Sequence, residues 1–232
     1  MTTTFITGAN RGLGYETARR LSELGHTVLL GARDRERGAA AAAELGVRFV
    51  PIDVTDDASC AAAAADVAAH EGILDLLINN AGVPGPYGDP SAVTADDALA
   101  VYDVNVFGVI RVTAAFLPLL QKSADPAIIN ISSGMGSLSL THDPDRDESK
   151  VVVPLYTSSK AALTMLTTQY AKALPGIRIN AVDPGYTATE FNGYSGPQTV
   201  TEGTDAVVAL ATAGAGAPTG RFVSRHGEMA WD

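Results

Sequence analysis

Phe5-Ile6-Thr7-Gly8-Ala9-Asn10-Arg11-Gly12-Leu13-Gly14 is the stretch that decides the fold. A short apolar run ends in Thr7, three glycines follow, and a helical pattern begins at Leu13. Glycines let a backbone turn tightly and approach a pyrophosphate. The helix N-terminus behind them presents free N–H groups and the positive end of a dipole. A glycine triplet also occurs in ordinary strand-to-helix turns. Here strand, loop and helix stand in the order that dinucleotide binding needs.

Outward from this loop, short apolar runs alternate with longer helical patterns. Strands are expected at 4–7, 27–31, 47–52, 74–79, 127–132, 177–182 and 221–223. Helices are expected at 13–24, 34–44, 56–70, 95–121, 156–173 and 200–213. This order predicts an α/β chain with a single doubly wound parallel sheet, a Rossmann fold of about seven strands with helices on both faces. Continuous apolar strands fit a sheet covered on both sides. The alanine tracts at 39–43 and 58–69 read as solvent-facing helices, alanine being the best helix former. No linker divides the chain, so residues 1–232 are expected to form one domain. Two segments, 134–154 and 185–197, break the alternation, and long loops inside a domain are usually functional or disordered.

Bulk properties narrow the function. Of 232 residues, 46% are hydrophobic and 18% charged, which suits a substantial core. The formal net charge of -10 argues against nucleic acid or an anionic membrane as partner, since phosphate binding needs clustered Lys and Arg. The acidity reads as solubility. Cys60 is the only cysteine, so no intrachain disulfide forms. The four histidines are scattered and no Cys/His cluster has zinc spacing, so no metal is expected. The N-terminus lacks the basic and apolar regions of a secretory signal. No uninterrupted apolar run would span a bilayer. A cytoplasmic protein is the expectation.

The end of the second strand bears on which nucleotide is bound. NAD-binding chains commonly place an acidic residue there for the ribose 2′-hydroxyl. Here Ala32 takes that position and Arg33 follows it, while Arg11 lies inside the glycine loop. Two guanidinium groups near a 2′-phosphate favour NADP (NADPH), although Arg33 also begins the charged run Asp34–Arg37.

Tyr156-Thr-Ser-Ser-Lys160 places a phenol and an ammonium one helical turn apart. A free tyrosine titrates near 10. A neighbouring ammonium and a positively charged nicotinamide would stabilise the phenolate and lower that value. Tyr156 could then give a proton to a carbonyl oxygen as hydride arrives at carbon. With seven tyrosines and four lysines, chance alone would supply such a pair in roughly one chain in eight. Its company adds force. Ser132 and Ser133 close the fifth strand, at the sheet edge where such folds bind ligands. Asn79-Asn80-Ala81-Gly82 closes the fourth. Asn105 sits among Val104, Val106 and Phe107, where an amide needs a partner. Taken singly, the serines read as a loop start, the asparagine pair as a turn and Asn105 as a hydrogen-bonded core amide.

Together, Thr7–Gly14, Asn79–Gly82, Asn105, Ser133, Tyr156-x-x-x-Lys160 and Asp183-Pro184-Gly185 resemble the short-chain dehydrogenase/reductase family over essentially the whole chain. The resemblance implies Tyr156 as acid/base, Lys160 as partner of the nicotinamide ribose, and Ser133 as the group orienting the carbonyl. It implies that Asn105 holds a water in a proton relay through Lys160. It also implies cofactor contacts from Gly8, Asn10, Arg11, Gly12, Leu13 and Gly14, and from Arg33. Asp53 and Val54 would meet the adenine, Asn80 the adenine ribose, with Ala81 and Gly82 beside it. Pro184, Gly185, Thr187 and Thr189 would hold the nicotinamide carboxamide. The 23 residues from Ser133 to Tyr156 exceed the usual gap, and the tail Gly220–Trp231 departs from the usual ending. In both the chain resembles the branch of carbonyl, menthone and salutaridine reductases, whose insertion implies a monomer or homodimer rather than a tetramer. Residues 186–198 would form a substrate lid, with Tyr186, Phe191 and Tyr194 lining an apolar pocket or packing the loop.

The expected function is therefore NADPH-dependent reduction of a small carbonyl compound, or the reverse oxidation of an alcohol. An NADP-binding redox sensor without chemistry is the alternative, opposed by the intact Tyr and Lys positions. An epimerase or dehydratase of the extended relatives would need a C-terminal substrate domain for which there is no room.

Overall fold

Thr3–Ile6 forms β1, buried at every position. In the computed structural model, which describes residues 2–231, it lies near the middle of one eight-stranded sheet. The other strands are β2 Thr27–Ala32, β3 Arg48–Pro51, β4 Leu76–Asn79, β5 Ala127–Ile131, β6 Arg178–Val182, β7 Phe222–Ser224 and β8 Gly227–Glu228. Their order is β3-β2-β1-β4-β5-β6-β7-β8. All pairs are parallel except β7 with β8. The chain runs outward from β1 through β2 to β3, then crosses to β4 on the other side. That reversal opens a crevice at the carboxyl ends of β1 and β4. The expected seven strands are present. β8, two residues after a tight turn with Gly227 at φ 114°, is an addition too short to leave a periodicity.

The helices are α1 Gly12–Glu23, α2 Arg35–Leu45, α3 Asp57–His70, α4 Ala95–Tyr102, α5 Gly108–Leu120, α6 Leu138–His142, α7 Pro154–Ala173, α8 Val200–Gly203 and α9 Asp205–Ala211. Consecutive strand residues face opposite layers. Phe5, Leu29, Leu77, Ile128 and Ile179 pack with Val67 of α3 and Phe116 of α5. Ile6, Leu30, Ile78, Ile129 and Val182 pack with Leu21 of α1 and Val207 of α9. Two buried faces explain the unbroken apolar runs. The alanine helices are not wholly solvent-facing: Ala41, Ala42, Ala63 and Ala64 are buried, with Cys60 and Val67 on the same stripe of α3.

Three expected elements differ in detail. The helix expected at 95–121 is divided by a π-helical stretch, Asp103–Phe107, where one extra residue enters the turn. Gly108 ends it, and a Cβ there would lie 3.0 Å from Val54 Cγ2 and 3.2 Å from the Asp103 carbonyl. By length and composition Ala95–Leu120 could cross a bilayer, unlike the expectation above, yet half of its apolar window is buried inside the protein. The helix expected to open at Tyr156 starts two residues earlier at Pro154, a residue suited to a first turn. The helix expected at 200–213 breaks at Thr204 into α8 and α9.

Candidate active site

The glycine loop joins β1 to α1 at the crevice. Gly8 and Gly12 take left-handed φ of 63° and 56°, which L side chains rarely adopt. A Cβ on Gly14 would come within 2.5 Å of Asn80 Nδ2 and 2.7 Å of the Gly8 carbonyl. Asn80 Nδ2 donates to the Thr7 and Gly8 carbonyls at 2.8 and 3.1 Å, binding the loop to the end of β4. Thr7 Oγ1 accepts the N–H groups of Asn80 and Ala81, both at 3.0 Å. No side chain caps the N-terminus of α1, so its leading N–H groups face the crevice. An uncapped helix end behind a glycine cradle fits a pyrophosphate.

This cradle is one end of a cavity of about 1540 Å³. Asn10, Arg11, Leu13, Arg33, Asp53 and Val54 line the same end. Ala81, Gly82, Pro184, Gly185, Thr187 and Thr189 also line the cavity, as do Ser133, Tyr156 and Lys160. The two arginines differ. Arg33 is 76% exposed and lies 3.9 Å from Asp53, whereas Arg11 pairs with Glu190 at 2.5 Å. Asp53 Oδ1 accepts from the Thr55 N–H and hydroxyl, which orders the end of β3.

Lys160 is buried, and its Nζ donates to the Ile131 carbonyl at 2.7 Å. Burial pushes it down to about 8. Its Nζ lies 5.6 Å from the centre of the Tyr156 ring. Gly136 lets the turn after β5 lie against the Lys160 backbone, where a Cβ would come within 2.6 Å. The Tyr156 phenol runs against the expected shift. Desolvation pushes it well above its ordinary value, and the Asp183 carboxylate and Tyr87 add to the rise, while a hydrogen bond with the Ser133 hydroxyl pulls it down. Loss of water outweighs an ammonium directed at a carbonyl. The phenol is thereby held neutral, the form that donates a proton.

Asn105 stands apart. It is fully buried and does not line the cavity. Its Oδ1 accepts the Val83 N–H at 2.8 Å, and its Nδ2 donates to the Val83 carbonyl and Ser159 Oγ at 2.9 and 3.0 Å. The core-amide reading describes this side chain. A Cβ on Gly82 would lie 3.4 Å from Asn105 Oδ1 and 3.7 Å from Lys160 Nζ, so the small residue brings strand end, amide and ammonium together.

Both irregular segments contribute residues to the cavity lining. Residues 134–154 fold as a short turn, α6 and the 3-10 segment Asp147–Lys150, tied by Arg146–Glu148 and Lys150–Asp147 pairs, both at 2.8 Å. In the other segment, the Phe191 ring lies 5.7 Å from the Tyr156 ring, tilted by 58°, and Tyr186 also faces the cavity. Tyr194 does not; it turns toward Arg11 and Tyr15, with a left-handed φ of 60°. Three cavity residues carried no sequence signal as site groups. Gln198 Nε2 donates to the Pro184 carbonyl at 2.7 Å, and Tyr87 and Glu148 line the same cavity.

A parallel sheet reversing beside a glycine cradle, with serine, tyrosine and lysine lining the same cavity, defines a dinucleotide-dependent oxidoreductase. The family model described as short chain dehydrogenase matches residues 2–199, and the chain belongs to the short-chain dehydrogenase/reductase family. It is 37% identical to a short-chain dehydrogenase of Penicillium roqueforti, over 90% of this chain and 88% of the relative. It is 34% identical to (-)-isopiperitenone reductase of Mentha piperita, over 97% and 96%. Its structure is similar to that of NADPH-bound carbonyl reductase from chicken fatty liver, with a TM-score of 0.89 and 31% identity over 100% and 99% of the two chains.

Proposed function

We propose that the protein reduces a ketone or aldehyde to an alcohol with NADPH, with Tyr156 as proton donor. The observation that carries this reading is the convergence of Ser133, Tyr156 and Lys160 on the cavity that the glycine cradle opens. The bound cofactor supplies the hydride that reaches the carbonyl carbon. Ser133 donates to the carbonyl oxygen and orients it. Tyr156 holds its proton in a desolvated setting until that oxygen becomes basic, then releases it along the Oη–H bond. Lys160, a buried cation beside the ring, compensates the phenolate that remains until solvent returns the proton.

The glycine cradle and the N-terminus of α1 would hold the pyrophosphate, and Arg33 the 2′-phosphate. Pro184, Gly185, Thr187 and Thr189 would receive the nicotinamide. Asn105 would act from behind by fixing Val83 and Ser159, with residues 186–198 as the lid. Tyr186, Phe191 and Tyr87 give the substrate side an aromatic lining that suits a ketone with an apolar body. The reading also resembles what is named for relatives at comparable identity, a carbonyl reductase and a reductase of isopiperitenone.

The test is Tyr156→Phe, assayed by NADPH consumption against a panel of ketones and aldehydes, with NADPH affinity measured by fluorescence titration. Turnover is expected to fall at least 100-fold, in the range of a lost general acid, with affinity nearly unchanged. Surviving turnover would overturn the assignment.

A further inference from the structure

Gln198 closes the segment that opens at Tyr186. Its backbone is paired on both sides: the Ala188 N–H donates to the Gln198 carbonyl at 2.9 Å, and the Gln198 N–H donates to the Tyr186 carbonyl at 3.3 Å. Gly196 lets the two limbs lie this close, since a Cβ there would run into the Tyr186 carbonyl and the Thr187–Ala188 peptide. The next residue, Thr199, caps α8, and Thr201 of α8 donates to Glu16 of α1 at 2.9 Å. Gln198 therefore stands on a base tied to the helix behind the glycine cradle.

From that base its side chain reaches back along the chain to the turn after β6. Nε2 donates to the Pro184 carbonyl at 2.7 Å and to Thr187 Oγ1 at 3.2 Å. The buried Thr187 hydroxyl donates to the same Pro184 carbonyl at 3.0 Å. The three groups close a triangle of hydrogen bonds. A carbonyl only accepts, so the amide must present its NH₂ end to Pro184. Gly185, at a left-handed φ of 71°, leaves the room: a Cβ there would lie 2.9 Å from Gln198 Oε1. Pro184, Gly185, Thr187 and Gln198 all line the cavity.

We propose that Gln198 is a positioning residue for the nicotinamide end of the cofactor, its amide holding the Pro184–Thr187 turn in the shape that receives the ring. The role rests on the reading of that turn as the nicotinamide seat, and adds the group that fixes the seat from the far end of the lid segment. The adenine end belongs to other residues, Arg33, Asp53 and the glycine cradle. Loss of the amide should therefore be felt at one end of the nucleotide only.

The test compares two ligands on the full-length protein by titration calorimetry. One is NADPH. The other is adenosine 2′,5′-bisphosphate, which keeps the adenine and the 2′-phosphate but has no nicotinamide. Gln198→Met keeps the length and loses the donor, and Gln198→Ala removes the side chain. In both, NADPH affinity is expected to fall about 3- to 10-fold, the range of one neutral hydrogen bond, with the bisphosphate within about twofold of wild type. Equal loss of both ligands, or loss of neither, in either folded variant overturns the role. Failure of both variants to fold overturns it too, because it would assign Gln198 to stability. Wild-type protein that binds NADPH no more tightly than the bisphosphate would reject the nicotinamide seat itself, an outcome separate from any change in the variants.

Discussion

The ammonium of Lys160 lies 5.6 Å from the centre of the Tyr156 ring while donating to the Ile131 carbonyl at 2.7 Å. The cation is therefore held by the end of β5. Burial pushes Lys160 down to about 8, so the ammonium is complete below that pH and lost above it. Activity that needs the cation should follow the same direction. A plot of kcat/KM against pH is expected to decline above about pH 8. Lys160→Met should remove that limb and lower kcat about 100-fold or more. A wild-type profile rising steadily through pH 9 would contradict the prediction.

Asn105 offers a test of structure apart from chemistry. Its amide satisfies both backbone groups of Val83 and reaches Ser159 Oγ, which itself donates to the Tyr156 carbonyl at 2.7 Å. Asn105→Ala strands those partners and leaves a small void. Urea denaturation is expected to show a loss of about 2–4 kcal/mol. Because Ser159 lies within the first turns of α7, kcat should fall as well. A variant of wild-type stability would show that water replaces the amide without cost.

The alternation of strands and helices, the glycine loop and the Tyr156–Lys160 pair were legible because each has a local signature: a period, a turn chemistry, a spacing of one helical turn. The π-helical turn at Asp103–Phe107 was not, since the apolar pattern runs through it unbroken. The direction of the Tyr156 shift was missed for a related reason. Spacing reveals a neighbouring lysine, but the loss of water around the phenol and the approach of Asp183 depend on how β5, β6 and residues 134–154 close over it. Glu148 reaches the cavity from the segment between Ser133 and Tyr156, so nothing near it in the chain marked it as a lining residue.

Gly14 is held by contact, not by its backbone angles. A Cβ would sit 2.5 Å from Asn80 Nδ2 and 2.9 Å from Ala9 Cα, atoms fixed by the hydrogen bonds of the cradle. Gly14→Ala must therefore displace Asn80 or the loop. A loss of about 1–3 kcal/mol in stability is expected from overpacking, together with NADPH affinity at least tenfold weaker by fluorescence titration. Unchanged affinity would mean that the cradle relaxes as a unit and that its present shape is not what binds the nucleotide.

Arg33 and Arg11 both stand near the expected 2′-phosphate, yet their present partners separate them. Arg33 is 76% exposed with its nearest carboxylate, Asp53, 3.9 Å away, whereas Arg11 is already paired with Glu190 of the lid segment. A phosphate must compete with Glu190 for Arg11 but not with a close partner for Arg33. Charge-assisted hydrogen bonds contribute about 1.5–3 kcal/mol each, or roughly 10- to 150-fold in affinity. Arg33→Ala is expected to weaken NADPH binding by that factor and to leave NADH binding within about threefold. Arg11→Ala should weaken NADPH less, because removing the guanidinium also releases Glu190. Glu190→Gln should strengthen NADPH binding by freeing Arg11. Titration of the three variants with both nucleotides checks the order, and a larger NADPH loss in Arg11→Ala than in Arg33→Ala would reverse it.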